Sequence, residues 1–141
     1  MENALSTLVS TLKSNNYSLT TARKLVFRAL LDKEPQTMAE LTKTLGTKID
    51  RASIYRVVAL FEQLGIVDRL QIGWKYKLEL SDSFRAHHHH ITCTSCGKTQ
   101  MFEESRVIEF ELKQLAEEAG YVETGHQLEL RGLCRSCHVH K

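Results

Sequence analysis

No stretch of this 141-residue chain is apolar over the length that a membrane-spanning helix needs. Its opening residues, Met1-Glu2-Asn3-Ala4-Leu5-Ser6-Thr7-Leu8, carry neither a basic segment nor a continuous apolar one. The first absence excludes a helical membrane protein, and the second removes the usual route to an oxidising compartment, so a cytoplasmic protein is expected. Catalytic signatures are missing too: there is no H-E-x-x-H, no phosphate-cradling glycine-rich loop and no serine nucleophile motif. An enzyme is therefore not expected. Cysteine is scarce, four residues in all, and no βαβ pattern precedes the first, which argues against a redox C-x-x-C. What remains, 42% hydrophobic and 26% charged, is an ordinary globular composition for one or two small domains.

The four cysteines are fully used by one pattern. Cys93 and Cys96 form one C-x-x-C knuckle, and Cys134 and Cys137 form another near the C-terminus. Each knuckle chelates from one tight turn, so together they supply the four thiolates of a tetrahedral structural zinc site, with no coordination position left open for chemistry.

Charge divides unevenly. Residues 1–80 carry 12 Lys/Arg against 8 Asp/Glu, a net of +4, whereas residues 81–141 carry 7 against 9, a net of −2. The basic half suggests an anionic partner. It reads as short helices followed by a hairpin. Leu5, Leu8, Val9 and Leu12 recur at helical spacing, and a second helix capped near Thr20 or Thr21 brings Val26, Leu30 and Leu31 to one face until Pro35 ends it. Thr37-Met38-Ala39-Glu40 is a capping box opening a short helix that stops at Gly46. From Asp50 to Leu64, Ile54, Val57, Val58, Phe61 and Leu64 form an apolar stripe, with Asp50 as N-cap and Gly65 past the end.

The opposite face of that helix carries Arg51, Ala52, Tyr55, Arg56 and Ala59. A short helix, a tight connection and a second helix offering Arg and Tyr is the helix-turn-helix arrangement, although a solvated amphipathic helix would look the same. The segments 66–71 and 74–80 then alternate with period two across Ile72-Gly73, making a hairpin with Lys75 and Lys77 on one face and Trp74 and Tyr76 sharing the core face of Leu78 and Leu80. Such a hairpin is a wing, placed to touch phosphates beside the groove.

In the second half, Ile108, Leu112, Leu115 and Ala119 predict a helix from about Ser105 to Ala119 packed on a sheet and ended by Gly120. His126-Gln127-Leu128-Glu129-Leu130-Arg131 alternates strictly and predicts a strand with His126, Leu128 and Leu130 facing inward. The run His87-His88-His89-His90 stands just before the first knuckle. In extended chain His87 and His89 point one way and His88 and His90 the other, so one strand can serve two sites with ligands suited to zinc, iron or nickel.

Ser53-Ile54-Tyr55-Arg56-Val57, the H-H-H-H-x-x-C-x-x-C-G segment, Gly125-His126 and Gly132-Leu133-Cys134-Arg135-Ser136-Cys137 together resemble the ferric uptake regulator family of metal-sensing transcription factors. The resemblance covers nearly the whole chain and implies an α+β fold. It predicts a winged helix-turn-helix domain over 1–80, a hinge over 81–86 and an α/β dimerisation domain with a four-cysteine zinc site over 87–141. It also implies a homodimer that binds palindromic double-stranded DNA operators when loaded with metal, usually as a repressor. The DNA contacts it implies are Arg51, Ser53, Tyr55, Arg56, Lys75 and Lys77. Structural zinc falls on Cys93, Cys96, Cys134 and Cys137, and an additional site on His87, His89, Glu109 and His126. The regulatory site falls on Asp68, Glu79, His88 and His90, bridging wing and dimerisation domain.

Two departures bear on the regulatory metal. Iron- and peroxide-sensing members usually place a histidine just before the third helix, where this chain has Pro35-Gln36, and a carboxylate five residues after the second knuckle cysteine, where it has Met101. The ligands that remain could form a tetrahedral site suited to zinc, and a zinc uptake regulator is expected. Glu103 or Glu104 could instead complete an iron(II) or manganese(II) site. A metal-storage module or a zinc hydrolase is the rival of a different class; the first would not need a helix-turn-helix, and the second needs an open coordination position and a placed base.

Overall fold

The computed structural model describes residues 2–31, 33–72, 75–122 and 124–139, and it divides into two compact units, residues 1–86 and 87–141. The first unit opens with α1 (Glu2–Ser14), α2 (Thr21–Leu30), α3 (Met38–Leu45) and α4 (Arg51–Gln63). Each of the last three begins at a residue whose oxygen satisfies an otherwise orphaned backbone N–H. Thr20 accepts from the Arg23 amide, Thr37 and Glu40 form the reciprocal capping box, and Asp50 accepts from the Ser53 amide at 2.9 Å. Helix α4 is capped by Leu64 and followed by Gly65, whose φ of 64° is the left-handed conformation that glycine adopts without strain.

Two antiparallel strands follow, β1 (Val67–Ile72) and β2 (Lys75–Leu80), in register from Val67 opposite Leu80 to Ile72 opposite Lys75. Gln36 adds a one-residue bridge on the other edge of β2, its amide and carbonyl both bonded to Leu78. Leu8, Leu12, Val26, Phe27, Leu41, Ile54, Phe61, Ile66, Leu78 and Leu80 are buried in one core that the helices and hairpin share. The expected winged helix-turn-helix order is therefore present. Helix α2 stops at Leu30, before Pro35 is reached, because Leu31 turns extended (ψ 131°) and Pro35 lies in the segment leading to the Gln36 bridge. The expectation that Trp74 joins the core falls outside the described residues.

The predicted hinge, 81–86, groups with the first unit. Ser81 donates its amide to Ile66 at 3.0 Å and its hydroxyl to Gly65 at 2.7 Å, while Phe84 reaches the core and meets Phe27 edge-on at 5.3 Å between ring centroids.

The second unit holds β3 (His88–Cys93), β4 (Thr99–Glu103), α5 (Arg106–Glu118), β5 (Glu129–Gly132) and α6 (Arg135–Val139). Strand β3 is central, antiparallel to β4 and parallel to β5. Two expectations change here. The predicted strand from His126 starts only at Glu129, and Leu130, expected to face inward with His126 and Leu128, is exposed within one chain. On α5, Ile108 and Leu112 are half-buried, but Ala119 is exposed, as are Val107, Phe110 and Leu115. The helix buries no residue fully within one chain, so its apolar surface exceeds what its own sheet covers.

Candidate metal centres and nucleic-acid interface

The two knuckles meet because β3 ends at Cys93 beside the end of β5. The Thr94 amide donates to the Gly132 carbonyl at 2.8 Å, and the Cys134 amide donates to Cys93 Sγ at 3.3 Å. The four sulfur atoms all lie within 4.8 Å of one another. Cys96 Sγ and Cys134 Sγ are 3.8 Å apart, too far for a disulfide. Four thiolates at about 2.3 Å from one zinc would stand about 3.8 Å from each other, so the set fits that ion. The thiols also differ. Backbone N–H groups, the Cys134 amide foremost, pull Cys93 down to about 6. At Cys137, a hydrogen bond with Ser95 lowers the pKa, yet the neighbouring Cys134 and Cys96 sulfurs outweigh it and push the thiol up to about 11. Four crowded sulfurs cannot all ionise without a cation among them.

A second cluster forms on the face of β3 that His89 occupies. His89 Nε2 lies 2.6 Å from Glu109 Oε1, His126 Nε2 lies 3.1 Å from Glu109 Oε2, and His87 Nε2 lies 3.2 Å from His126 Nε2. Glu109 comes from the first turn of α5, and the His89 side chain is fully buried. Three imidazoles and a carboxylate converging within 4.8 Å supply three nitrogen donors and one oxygen donor, a set that fits a divalent transition metal. One feature does not fit: His89 Nδ1 is buried with no hydrogen-bond partner among the described residues, whereas a metal-bound imidazole usually donates its other N–H.

Alternation along β3 sends His88 and His90 the other way, with ring centroids 4.7 Å apart. Their cross-strand neighbours are Glu103 and Met101 respectively. In the first unit, Asp68 and Glu79 stand directly opposite each other in the hairpin ladder and share a face. Burial, followed by repulsion from Glu79 and Asp82, holds the Asp68 carboxyl above its usual range. Arg85, which no sequence motif singles out, donates from Nη1 to Glu79 Oε2 at 3.1 Å.

The outer face of α4 carries the residues expected to touch DNA. Arg51, Tyr55 and Arg56 are exposed, and Ser53 is half-buried on the same helix. Arg51 donates to the Tyr55 hydroxyl at 3.3 Å and Arg56 to the Ser53 hydroxyl at 2.9 Å, which pre-orders both guanidinium groups near the helix N-terminus. On the wing Lys75 is exposed, while Lys77 is half-buried.

Comparison with known proteins decides what this combination is. The sequence model of the ferric uptake regulator family matches residues 14–131. The chain belongs to that family. The ferric uptake regulation protein of Legionella pneumophila is 32% identical over 126 residues, covering 89% of this chain and 80% of that protein. The Vibrio cholerae ferric uptake regulator is 30% identical with a TM-score of 0.73, covering 89% of this chain and 98% of that one. The ferric uptake regulator of Francisella tularensis, solved with iron, is 28% identical with a TM-score of 0.72, covering 86% and 95%.

Members of the ferric uptake regulator family are metal-responsive transcriptional regulators that bind DNA as dimers, and they are not enzymes. Membership assigns the first unit to DNA binding and the second to dimerisation. No helix among the described residues is long and apolar enough to cross a membrane.

Proposed function

We propose that this protein is a zinc-responsive repressor of metal-uptake genes, acting in the cytoplasm as a homodimer on palindromic operators. The observation that carries the choice of metal is Met101. It lies directly opposite His90 across the β3–β4 ladder, at the position where iron-type members supply a carboxylate. In the Pro35-Gln36 segment, where such members supply a histidine, proline offers no ligand and Gln36 spends its side-chain amide on the Ala29 carbonyl at 2.7 Å. The remaining set, Asp68, Glu79, His88 and His90, has two nitrogen and two oxygen donors. Four ligands of that kind suit tetrahedral zinc better than six-coordinate iron(II) or manganese(II).

In this reading Cys93, Cys96, Cys134 and Cys137 hold a structural zinc, and His87, His89, Glu109 and His126 hold a further divalent metal. Arg51, Ser53, Tyr55 and Arg56 read base edges from α4 in the major groove, while Lys75 and Lys77 fix the wing on phosphates. Bound metal supplies the positive charge and fixed geometry that make the DNA-binding form the favoured one.

An iron(II) or manganese(II) sensor is the second reading, and a specific observation favours it. Glu103 is the cross-strand partner of His88 and so shares its face, which would raise the ligand count. Titrating DNA binding with zinc, iron(II) and manganese(II), each at buffered free concentration, separates the two. Activation by zinc at the lowest free concentration relative to its cellular level supports the zinc sensor. Activation by iron(II) alone, with zinc inert, supports the other.

A further inference from the structure

The wing pairs one proposed metal ligand with a cation of the chain's own. Arg85 and Glu79 make an ion pair at 3.1 Å in which both side chains are largely buried, with exposures of 16% and 7%. A firmly anchored turn delivers Arg85. The Ser81 amide bonds to Ile66 and its hydroxyl to Gly65, the Phe84 amide closes back on the Ser81 carbonyl at 2.9 Å, and the Phe84 ring is fixed against Phe27. Arg85 is the next residue. Glu79 needs such a partner, because Asp68 is directly across the ladder and Asp82 is near enough to repel Asp68 as well. Like charges opposite one another weaken a strand pair unless a counter-charge stands among them.

We propose that Arg85 is a built-in counter-ion that holds Glu79 docked in the metal-free protein and competes with the regulatory metal for that carboxylate, thereby setting the free-metal concentration at which the protein responds. This rests on the reading of Glu79 as a ligand. For Glu79 to ligate a dication, its charge-assisted bond to the guanidinium must break, or one carboxylate must serve two cations a few ångströms apart. Either way the guanidinium weakens metal binding. Arginine keeps its proton at any physiological pH, so the competition is a constant offset on affinity. Arg85 is thus a positioning residue that acts through Glu79.

The test uses the full chain with its four-thiolate zinc retained, titrated with zinc against a fluorescent chelator. The exchangeable zinc that a His88→Ala, His90→Ala protein loses defines the site. Arg85→Gln should bind that zinc about tenfold more tightly, equivalent to about 1.4 kcal/mol, while its metal-free form melts at a lower temperature than the parent. A purely structural arginine would move both quantities in the same direction. Arg85→Lys, which keeps the charge on a shorter head with no planar fork, should fall between parent and Arg85→Gln, and it is the variant to read if Arg85→Gln does not fold without metal. Glu79→Gln should bind the zinc more weakly. Affinity that is unchanged or weaker in both Arg85 variants, with Glu79→Gln weakened, overturns the counter-ion while leaving Glu79 a ligand. Unchanged affinity in Glu79→Gln overturns Glu79 as a ligand, and the counter-ion with it.

Discussion

Cys96 Sγ and Cys134 Sγ lie 3.8 Å apart although 38 residues separate them, the spacing that two thiolates keep when they share one zinc. The contact ties the end of β3 to the turn after β5, in a unit whose buried residues, among those described, are His89, His90, Thr92, Cys93 and Thr99. With so little apolar core, metal binding is largely folding energy there, about 10 kcal/mol or more in small zinc modules. Cys96→Ser should therefore lose zinc and unfold or monomerise the second unit. Metal analysis together with size-exclusion chromatography and thermal melting checks this; a zinc-free Cys96→Ser dimer of unchanged stability would refute it.

On DNA, Arg56→Ala should cost about 1–3 kcal/mol and relax preference at one base position, because the Arg56 guanidinium is exposed and braced by Ser53 on the first turns of α4. Lys75→Ala should weaken all sequences alike and reduce the salt slope by about one. Binding to an operator and to scrambled duplexes at several salt concentrations distinguishes the two effects. Normal operator affinity of Arg56→Ala would mean that another face of the helix reads the bases.

The capping box of α3 gives a pH signature. The Thr37 amide, and then the Thr37 hydroxyl, hold the Glu40 carboxyl below its usual range. A folded pKa below the unfolded one adds stability that is full above the unfolded value, about 4.3, and is lost as pH falls through the folded value. Glu40→Ala should therefore melt below the parent at pH 7, with the gap narrowing as the medium is acidified. Thr37→Ala should cost about 1 kcal/mol at neutral pH. Thermal melts across the acid range measure both, and a gap that does not narrow as pH falls would mean that Glu40 acts through packing.

How much of this was legible in the sequence follows from which signals are local. The caps at Thr37 and Asp50, the stripe Ile54-Val57-Val58-Phe61 and the paired knuckles are short-range patterns, and each stands where the spacing placed it. The alternation of the four histidines likewise splits them into the two faces seen on β3. Alternation with Leu128 and Leu130 places His126 on a strand, whereas the ladder begins only at Glu129 and Leu130 is exposed within one chain. Periodicity assigns Leu115 and Ala119 to a core, yet both are exposed within one chain, since periodicity marks an apolar face without saying whether sheet or partner covers it. Arg85 left no signal at all: its role depends on a turn that returns it to Glu79, six residues earlier.

The central claim is that metal at the regulatory ligands switches DNA binding, and it is tested most directly at His88 and His90, which share a face of β3 with rings 4.7 Å apart. Operator binding is followed by fluorescence anisotropy at fixed salt while buffered zinc is raised, for the parent and for the His88→Ala, His90→Ala protein. The parent should gain affinity by a coupling free energy of about 1–3 kcal/mol. The double variant should keep its dimer and its four-thiolate zinc and show no gain. A variant that responds to zinc as the parent does would contradict the account and move sensing to His87, His89, Glu109 and His126.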